Sequence, residues 1–249
     1  MRLDDPKRFA EELHAIGPDL IFHLAATTKV EECTADPKLA RITNVEASAL
    51  IAAAAKDLGA RLIFTSTDLV YSGKGPHTED EDCDPESVYA RTKLEAERAL
   101  IASGADCVVA RMANAYGPVL SRHGSFTSWI EKRLARGERV PLYVDQLRSF
   151  IYAPDAAKAL LLLAEKGKSR EIYNVGGPRP VSRVEFGELF FDAFGYDKGM
   201  IKPISIEDDP QAQLRGEDCS MSIGKIRALG FTPMDVKQAL EHWRRTEGT

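Results

Sequence analysis

Three side chains at two spacings stand out as equipment for chemistry: Thr67 at the end of an apolar run, and Tyr89 and Lys93 four residues apart. Leu62-Ile63-Phe64 runs into Thr65-Ser66-Thr67-Asp68, the pattern of a buried strand delivering hydroxyls at its C-terminal end. A tyrosine and a lysine four apart on a helix point to one face, roughly 6 Å apart along the axis. A lysine cation beside a phenol favours the phenolate, lowering a pKa of about 10 towards the range where protons are traded near neutrality. A threonine hydroxyl nearby can hold a substrate carbonyl. Together these groups suit carbonyl–alcohol redox chemistry. Each also has a plainer reading: Tyr89 and Lys93 as an ordinary surface pair, Thr67 as the cap of a turn.

The elements that must position them alternate. Asp5-Pro6 reads as an N-cap and first helical proline, with Phe9, Leu13 and Ile16 as the apolar stripe and Gly17-Pro18 as the stop. Asp19 to Leu24 is an apolar run without alternation, as expected of a strand covered on both faces, and it ends in Ala25-Ala26. Asp36-Pro37 opens a helix expected to run through Asn44 to Leu58, and the strand Arg61 to Phe64 follows. After a loop from Ser72 to Asp84 rich in Gly, Pro and acid, Asp84-Pro85 is expected to cap the helix carrying Tyr89 and Lys93 to about Ala102. Cys107 to Ala110 is another apolar strand, leading into Arg111-Met112-Ala113-Asn114. This alternation predicts βαβ units and a parallel sheet.

Beyond Gly117-Pro118 the pattern loosens. Helices are expected at Ser125–Arg136, Pro154–Lys166, Ser222–Leu229 and Val236–Arg245, with short strands at Val140–Val144 and Phe150–Tyr152, and Ile172-Tyr173-Asn174-Val175 precedes the breaker run Gly176-Gly177-Pro178. Ser182-Arg183-Val184-Glu185 has the form of a capping box, with Val181 and Phe186 placed as its hydrophobic staple.

Bulk properties narrow the class. The 249 residues are enough for one large or two small domains, and 44% hydrophobic with 29% charged residues is an ordinary globular balance. A formal net charge of −5 argues against nucleic acid as a partner. Cys33, Cys83, Cys107 and Cys219 lack C-x-x-C spacing, and the five histidines are scattered, so neither a metal site nor a disulfide framework is expected. The apolar stretch Ala156 to Ala164 is broken by Lys158 and too short for a membrane span. The N-terminus lacks the apolar run of a signal peptide, and a cytoplasmic protein fits.

In combination the motifs become specific. Ser66-Thr67-Asp68-Leu69-Val70-Tyr71-Ser72-Gly73 and Val88-Tyr89-Ala90-Arg91-Thr92-Lys93-Leu94-Glu95-Ala96-Glu97 resemble the extended short-chain dehydrogenase/reductases, within them the dTDP-4-dehydrorhamnose reductase-like group of sugar-nucleotide reductases and epimerases. Pro18 to Ile21, Asn44-Val45, Arg148 to Tyr152 with Asp155, and Tyr173 to Gly177 extend the likeness over nearly the whole chain. The resemblance implies a Rossmann-like doubly wound parallel sheet, truncated at its N-terminus, with a small C-terminal α/β substrate lobe. The nucleotide-binding domain would comprise residues 1–118 and 145–175, and the lobe residues 119–144 and 176–249. It also implies NADP or NAD as cofactor and a nucleotide-linked 4-keto sugar as substrate. Tyr89 would be the general acid, Lys93 would lower its pKa and bind the nicotinamide ribose, and Thr67 would hold the carbonyl. Ala25, Ala26 and Thr65 would line the cofactor, and Asp68, Asn114 and Arg148 would be substrate contacts. Asp68 as a loop-orienting residue, and Asn114 and Arg148 as merely solvated side chains, stay open. His23 reads as a satisfied core histidine and Asn44 as a structural hydrogen-bonder. Asp68 is followed by Leu69, where dehydratases of the superfamily carry Asp-Glu, which disfavours dehydration.

One expected part is missing from the pattern. The family begins with a strand and a Gly-rich turn that seats the cofactor pyrophosphate on a helix N-terminus. Here the first glycine is Gly17, and Arg2 falls where the family often has an acidic residue near the adenine. The expectation is either a fragment of a longer product or a real short form with weak cofactor binding. In the second case the bare sheet edge would need covering, for example by a second copy in a homodimer. A non-catalytic interaction protein of the same fold, as in the regulatory subunit of methionine adenosyltransferase, is the competing class.

Overall fold

The structure, a computed structural model, describes residues 3–118, 125–209 and 214–247. Arg2 therefore lies outside the described residues. The chain forms two compact units: Met1–Ser72, Glu79–Met112 and Leu160–Asn174 make the first, and Gly73–Thr78, Ala113–Ala159 and Val175–Thr249 the second. Residues 145–159, grouped from the sequence with the nucleotide-binding domain, cluster in the second unit, as do residues 73–78 and 113–118.

In chain order the first unit starts with α1 (Pro6–Ile16), β1 (Leu20–His23), α2 (Val30–Ala35), α3 (Pro37–Arg41), a π-helical turn (Ile42–Glu46) and α4 (Ala47–Leu58). It continues with β2 (Arg61–Thr67), α5 (Val88–Ala102) and β3 (Cys107–Met112). The elements that follow are β4 (Ala115–Tyr116), α6 (Phe126–Leu134), β5 (Val140–Tyr143), β6 (Leu147–Arg148), β7 (Ile151–Tyr152) and α7 (Ala153–Lys166). Then come β8 (Glu171–Val175), β9 (Val181–Ser182), α8 (Arg183–Phe194), β10 (Ile201–Ile204), α9 (Gly224–Arg227) and α10 (Val236–Glu247).

The main sheet has the order β1-β2-β3-β8, with β1 parallel to β2 (Leu20 opposite Arg61) and β2 parallel to β3 (Leu62 opposite Cys107). Leu62, Ile63 and Phe64 are fully buried, so β2 is covered on both faces, and each such side chain contributes about 2 kcal/mol of burial. Leu62 and Phe64 pack with Leu13 of α1, Ile51 and Ala55 of α4, Leu100 of α5 and Val109 of β3. β1 departs from expectation: it closes one side of the sheet, and Leu20 is 41% exposed while only Ile21 and His23 are buried.

Helix ends follow short-range chemistry. Asp5 and Asp36 cap α1 and α3 by accepting from Arg8 and Leu39 backbone N–H groups. The catalytic-helix candidate α5 is capped by Ser87, whose hydroxyl accepts from Ala90 N–H, and not by Asp84. In the second unit Ser182 caps α8 by accepting from Glu185 N–H, but the Glu185 carboxylate pairs with Arg179 at 2.7 Å. The reciprocal capping box occurs instead at Ser125 and Ser128 of α6. The second unit's core is aromatic: Phe150 and Phe186 lie 4.5 Å apart, Tyr116 meets Phe186 edge-on at 5.0 Å, and Phe194 meets Trp243 at 4.9 Å. Its paired strands are β5 with β10 and β4 with β7, both parallel, and β6 with β9, antiparallel.

Candidate active site

β2 runs three residues past its apolar segment, bringing Thr65, Ser66 and Thr67 opposite Ala110, Arg111 and Met112 of β3. Parallel strands end on the same side, and ligands of open α/β sheets sit beyond those carboxyl ends. Thr67, extended at φ −138° and ψ 152°, caps the 3-10 turn Asp68–Val70 by accepting from Leu69 N–H at 3.2 Å. Its hydroxyl donates to Asp68 Oδ1 at 3.2 Å and is also the hydrogen-bond partner of the Tyr89 phenol. One hydroxyl has one proton. With that proton on Asp68, the Tyr89 phenol must be the donor to Thr67. Thr67 thus caps the turn, and its proton reaches a substrate carbonyl only by leaving Asp68.

α5 places Tyr89, Lys93 and Glu97 on one buried stripe, at 9%, 3% and 1% exposure. The surface-pair reading of Tyr89 and Lys93 is therefore wrong. The electrostatics also differ from the sequence expectation. Burial pushes the Tyr89 phenol well above its ordinary value, against a smaller opposing effect of the Thr67 hydrogen bond, and Asp68 and Cys33 push the same way as burial. Burial pushes Lys93 down to about 7, opposed by the carboxylate of Glu97. The amine stands 3.9 Å over the Phe64 ring, a cation–π contact, and donates no hydrogen bond among the described residues. A lysine only partly charged near neutrality cannot draw a buried phenol far towards phenolate.

A polar layer fixes α5 against the strand ends. Asn44 sits in the π-helical turn, a widened segment where the sequence alone suggested one continuous helix. Its Oδ1 accepts from Thr27 N–H at 2.8 Å, and its Nδ2 donates to Thr27 O and Thr92 Oγ1, both at 3.0 Å. Thr92 in turn donates to Tyr89 O at 2.7 Å. His23 is the core histidine that its strand position suggests. Ser48 donates its proton to Asn44 O at 2.7 Å, so the 2.9 Å contact to His23 requires His23 Nε2 to carry the hydrogen. Burial, then Lys93, holds the His23 pKa down to about 3.

Past β1, Ala25 is exposed and Ala26 half-buried, and Thr65 Oγ1 donates to His23 O at 3.4 Å. Ser66 Oγ is buried without a hydrogen-bond partner among the described residues. An uncommitted ammonium, an unpartnered buried hydroxyl and small residues at a strand end fit the nicotinamide-ribose end of a dinucleotide. Among the described residues no Gly-rich turn joins a strand to a helix, so none offers the matching pyrophosphate seat. Asn114 and Arg148 belong to the second unit. Asn114 is half-buried and its carbonyl accepts from Ile151 N–H. Arg148 is not a solvated side chain: it is 1% exposed, and its guanidinium donates to the carbonyls of Leu147, Arg215, Gly216 and Glu217. Sequence reasoning missed Ser66, Cys33 behind Tyr89, and Glu97. Extending the Tyr89–Lys93 spacing by four residues would have found the last.

A family model described as RmlD substrate binding domain matches residues 1–246. A dTDP-4-dehydrorhamnose reductase of Mycobacterium tuberculosis is 30% identical over 238 residues, covering 93% of this chain and 75% of that enzyme. A dTDP-glucose 4,6-dehydratase of Streptomyces venezuelae, solved with NAD and DAU bound, superposes with a TM-score of 0.83 at 26% identity, covering 98% of this chain and 77% of that one. A dTDP-4-dehydrorhamnose reductase structure from Clostridium acetobutylicum gives a TM-score of 0.86 at 22% identity over 99% of this chain and 87% of that one, which shows the fold.

Proposed function

The chain belongs to the RmlD substrate binding domain family, and on that footing we propose that it is a nicotinamide-dependent oxidoreductase of a nucleotide-linked 4-keto sugar. The observation that carries the reading is the joint burial of Thr67, Tyr89 and Lys93 at the carboxyl end of β2, with the phenol's proton directed at Thr67. Reduced NADP or NAD, when bound, supplies the hydride that adds to the carbonyl carbon. The residues do the rest. On substrate binding the Thr67 hydroxyl turns its proton from Asp68, and Tyr89 turns its own from Thr67, to hold the carbonyl oxygen. Tyr89 gives up its proton to that oxygen as negative charge develops there. A phenol whose pKa is raised keeps its proton at neutral pH, which suits the acid of a reduction. Lys93, with its donors uncommitted, takes the ribose hydroxyls, and Ala25, Ala26 and Thr65 leave room along the strand ends.

Reduction is favoured over dehydration because Leu69, a carbon side chain, follows Asp68 where an acid would be needed. Asp68, Asn114 and Arg148 are proposed as contacts of the sugar nucleotide, and the second unit as its binding lobe. Arg148 would serve by exchanging a main-chain carbonyl for a phosphate oxygen, for which its planar fork is suited. No helix among the described residues is long and apolar enough to cross a membrane. A cytoplasmic homodimer completes the proposal. The test is loss of nicotinamide absorbance on mixing the chain with NADPH or NADH and a dTDP-linked 4-keto-6-deoxy sugar. Tyr89→Phe is expected to lower kcat by about 100-fold or more. Equal turnover by Tyr89→Phe and the parent chain would overturn the assignment.

A further inference from the structure

Behind the candidate site lies a buried polar chain that the reaction above does not use. Glu97 of α5 is 1% exposed and Arg111 of β3 is 3% exposed. Arg111 donates to Glu97 three times: Nε to both carboxylate oxygens at 3.2 Å and Nη2 to Oε2 at 2.8 Å. Its Nη1 donates to the Tyr71 hydroxyl at 2.8 Å, and Tyr71 donates to Asn174 Oδ1 at 2.8 Å. Asn174 N–H donates to Glu79 Oε1 at 2.8 Å, while Glu79 O takes a weak contact from Arg111 at 3.5 Å. This chain ties the acidic loop ahead of α5 to the sheet.

A buried ion pair is seldom the cheapest way to fill a core, since apolar residues of the same volume are often as stable or more so. What distinguishes this pair is its place. Glu97 lies one helical turn beyond Lys93 on the same buried stripe, and the groups facing Lys93 are few. From α5 there are Glu97 and, one turn the other way, the Tyr89 phenol, which keeps its proton; from β1 comes His23, neutral and hydrogen-bonded to Ser48; from β2 comes the Phe64 ring. Arg111 and the Cys83 thiol face Glu97 from the other side, with Arg111 shared between Glu97 and Tyr71. Glu97 is thus the anion facing the lysine.

We infer that Glu97 is a positioning residue for Lys93: its carboxylate, bonded to an Arg111 that is shared with Tyr71, holds more of the buried amine in its ammonium form than burial alone would leave. A charged Lys93 is what the proposed reaction needs to grip ribose hydroxyls, so the inference rests on that reading for its purpose though not for its test. Burial alone drives the amine towards neutrality, and the Glu97 charge opposes it, leaving the balance at about 7.

The test follows Lys93 directly. In the full chain carrying 13Cε-labelled lysine, the Lys93 resonance is identified by its loss in Lys93→Arg and titrated by NMR. Glu97→Gln is expected to lower its midpoint by about one pH unit or more, because Arg111 then stands nearby without its counter-charge. Since an orphaned arginine can unfold the chain, Glu97→Leu/Arg111→Met replaces both charges at similar volume. In that variant the midpoint is expected between those of Glu97→Gln and the parent, with the far-ultraviolet circular dichroism retained. Midpoints unchanged in folded variants would overturn the inference. So would failure of both variants to fold, which would make the pair a requirement of the core alone. No turnover is needed, so a failed reductase assay leaves this result readable. If turnover is present, the alkaline fall of kcat moves to lower pH in the same order.

Discussion

Removing the Asn44 amide is expected to loosen the first unit and leave the second untouched. In Asn44→Ala, three hydrogen bonds go: those to Thr27 N–H, Thr27 O and Thr92 Oγ1. The contact from Thr43 Oγ1 at 3.3 Å counts for nothing, because that hydroxyl already donates to Leu39 O at 3.0 Å. At about 1 kcal/mol net per bond the loss is about 3 kcal/mol, reduced a little because half-buried Thr27 recovers some hydration. Thr92→Val removes one of these three bonds and its own bond to Tyr89 O, and is expected to cost about 2 kcal/mol. The double variant is then expected to fall short of additivity by about 1 kcal/mol, since both changes delete the one shared bond. The probe matters. Both tryptophans, Trp129 and Trp243, belong to the second unit, so their fluorescence is blind to this loss. Urea unfolding followed by far-ultraviolet circular dichroism, with hydrogen exchange at the β2 amides, reads the right unit. A loss under about 1 kcal/mol, or strict additivity with Thr92→Val, would refute the claim that this amide pins α5 to the strand ends.

Two further outcomes are expected. His23 is held neutral, with its folded pKa at about 3 against 6.5 when unfolded, so from pH 6.5 down to 3 the unfolded chain binds a proton that the folded chain does not. Stability should therefore fall as pH drops through that window, by about 2 kcal/mol between pH 7 and pH 5 from this residue, and His23→Gln should flatten that part of the urea-midpoint curve. Gly187→Ala in α8 should destabilise the second unit by about 1–3 kcal/mol despite the better helix propensity of alanine, because its Cβ would stand 2.2 Å from Leu142 Cδ1, a side chain 1% exposed. Leu142→Val should recover part of the loss, as read by tryptophan fluorescence, and a stabilising Gly187→Ala would show that Leu142 moves aside at no cost.

Local chemistry made much of this molecule readable from its sequence. Asp5-Pro6 and Asp36-Pro37 start helices because cap and proline act within one turn, and the run from Leu62 to Phe64 announces a strand buried on both sides. The four-residue interval of Tyr89 and Lys93 fixes that they share a face, since helix geometry alone decides it. What faces them was beyond reach. Whether Lys93 is charged depends on burial, on Phe64 from β2 and on Glu97 beyond it, and burial outweighs the attraction that the spacing suggested. The cap of α5 passed from Asp84 to Ser87 because the loop conformation, not the residue type, selects which oxygen meets the free N–H groups. Asn44 widens its helix into a π turn to reach Thr27 and Thr92, partners 17 and 48 residues away. Arg148 has the look of a surface charge in a list of residues, yet it is spent on carbonyls nearly 70 residues on. Residue types and intervals decide which groups can share a face. Only the tertiary structure decides how much water they lose and which charges remain beside them, because desolvation and long-range pairing have no signature in a local window.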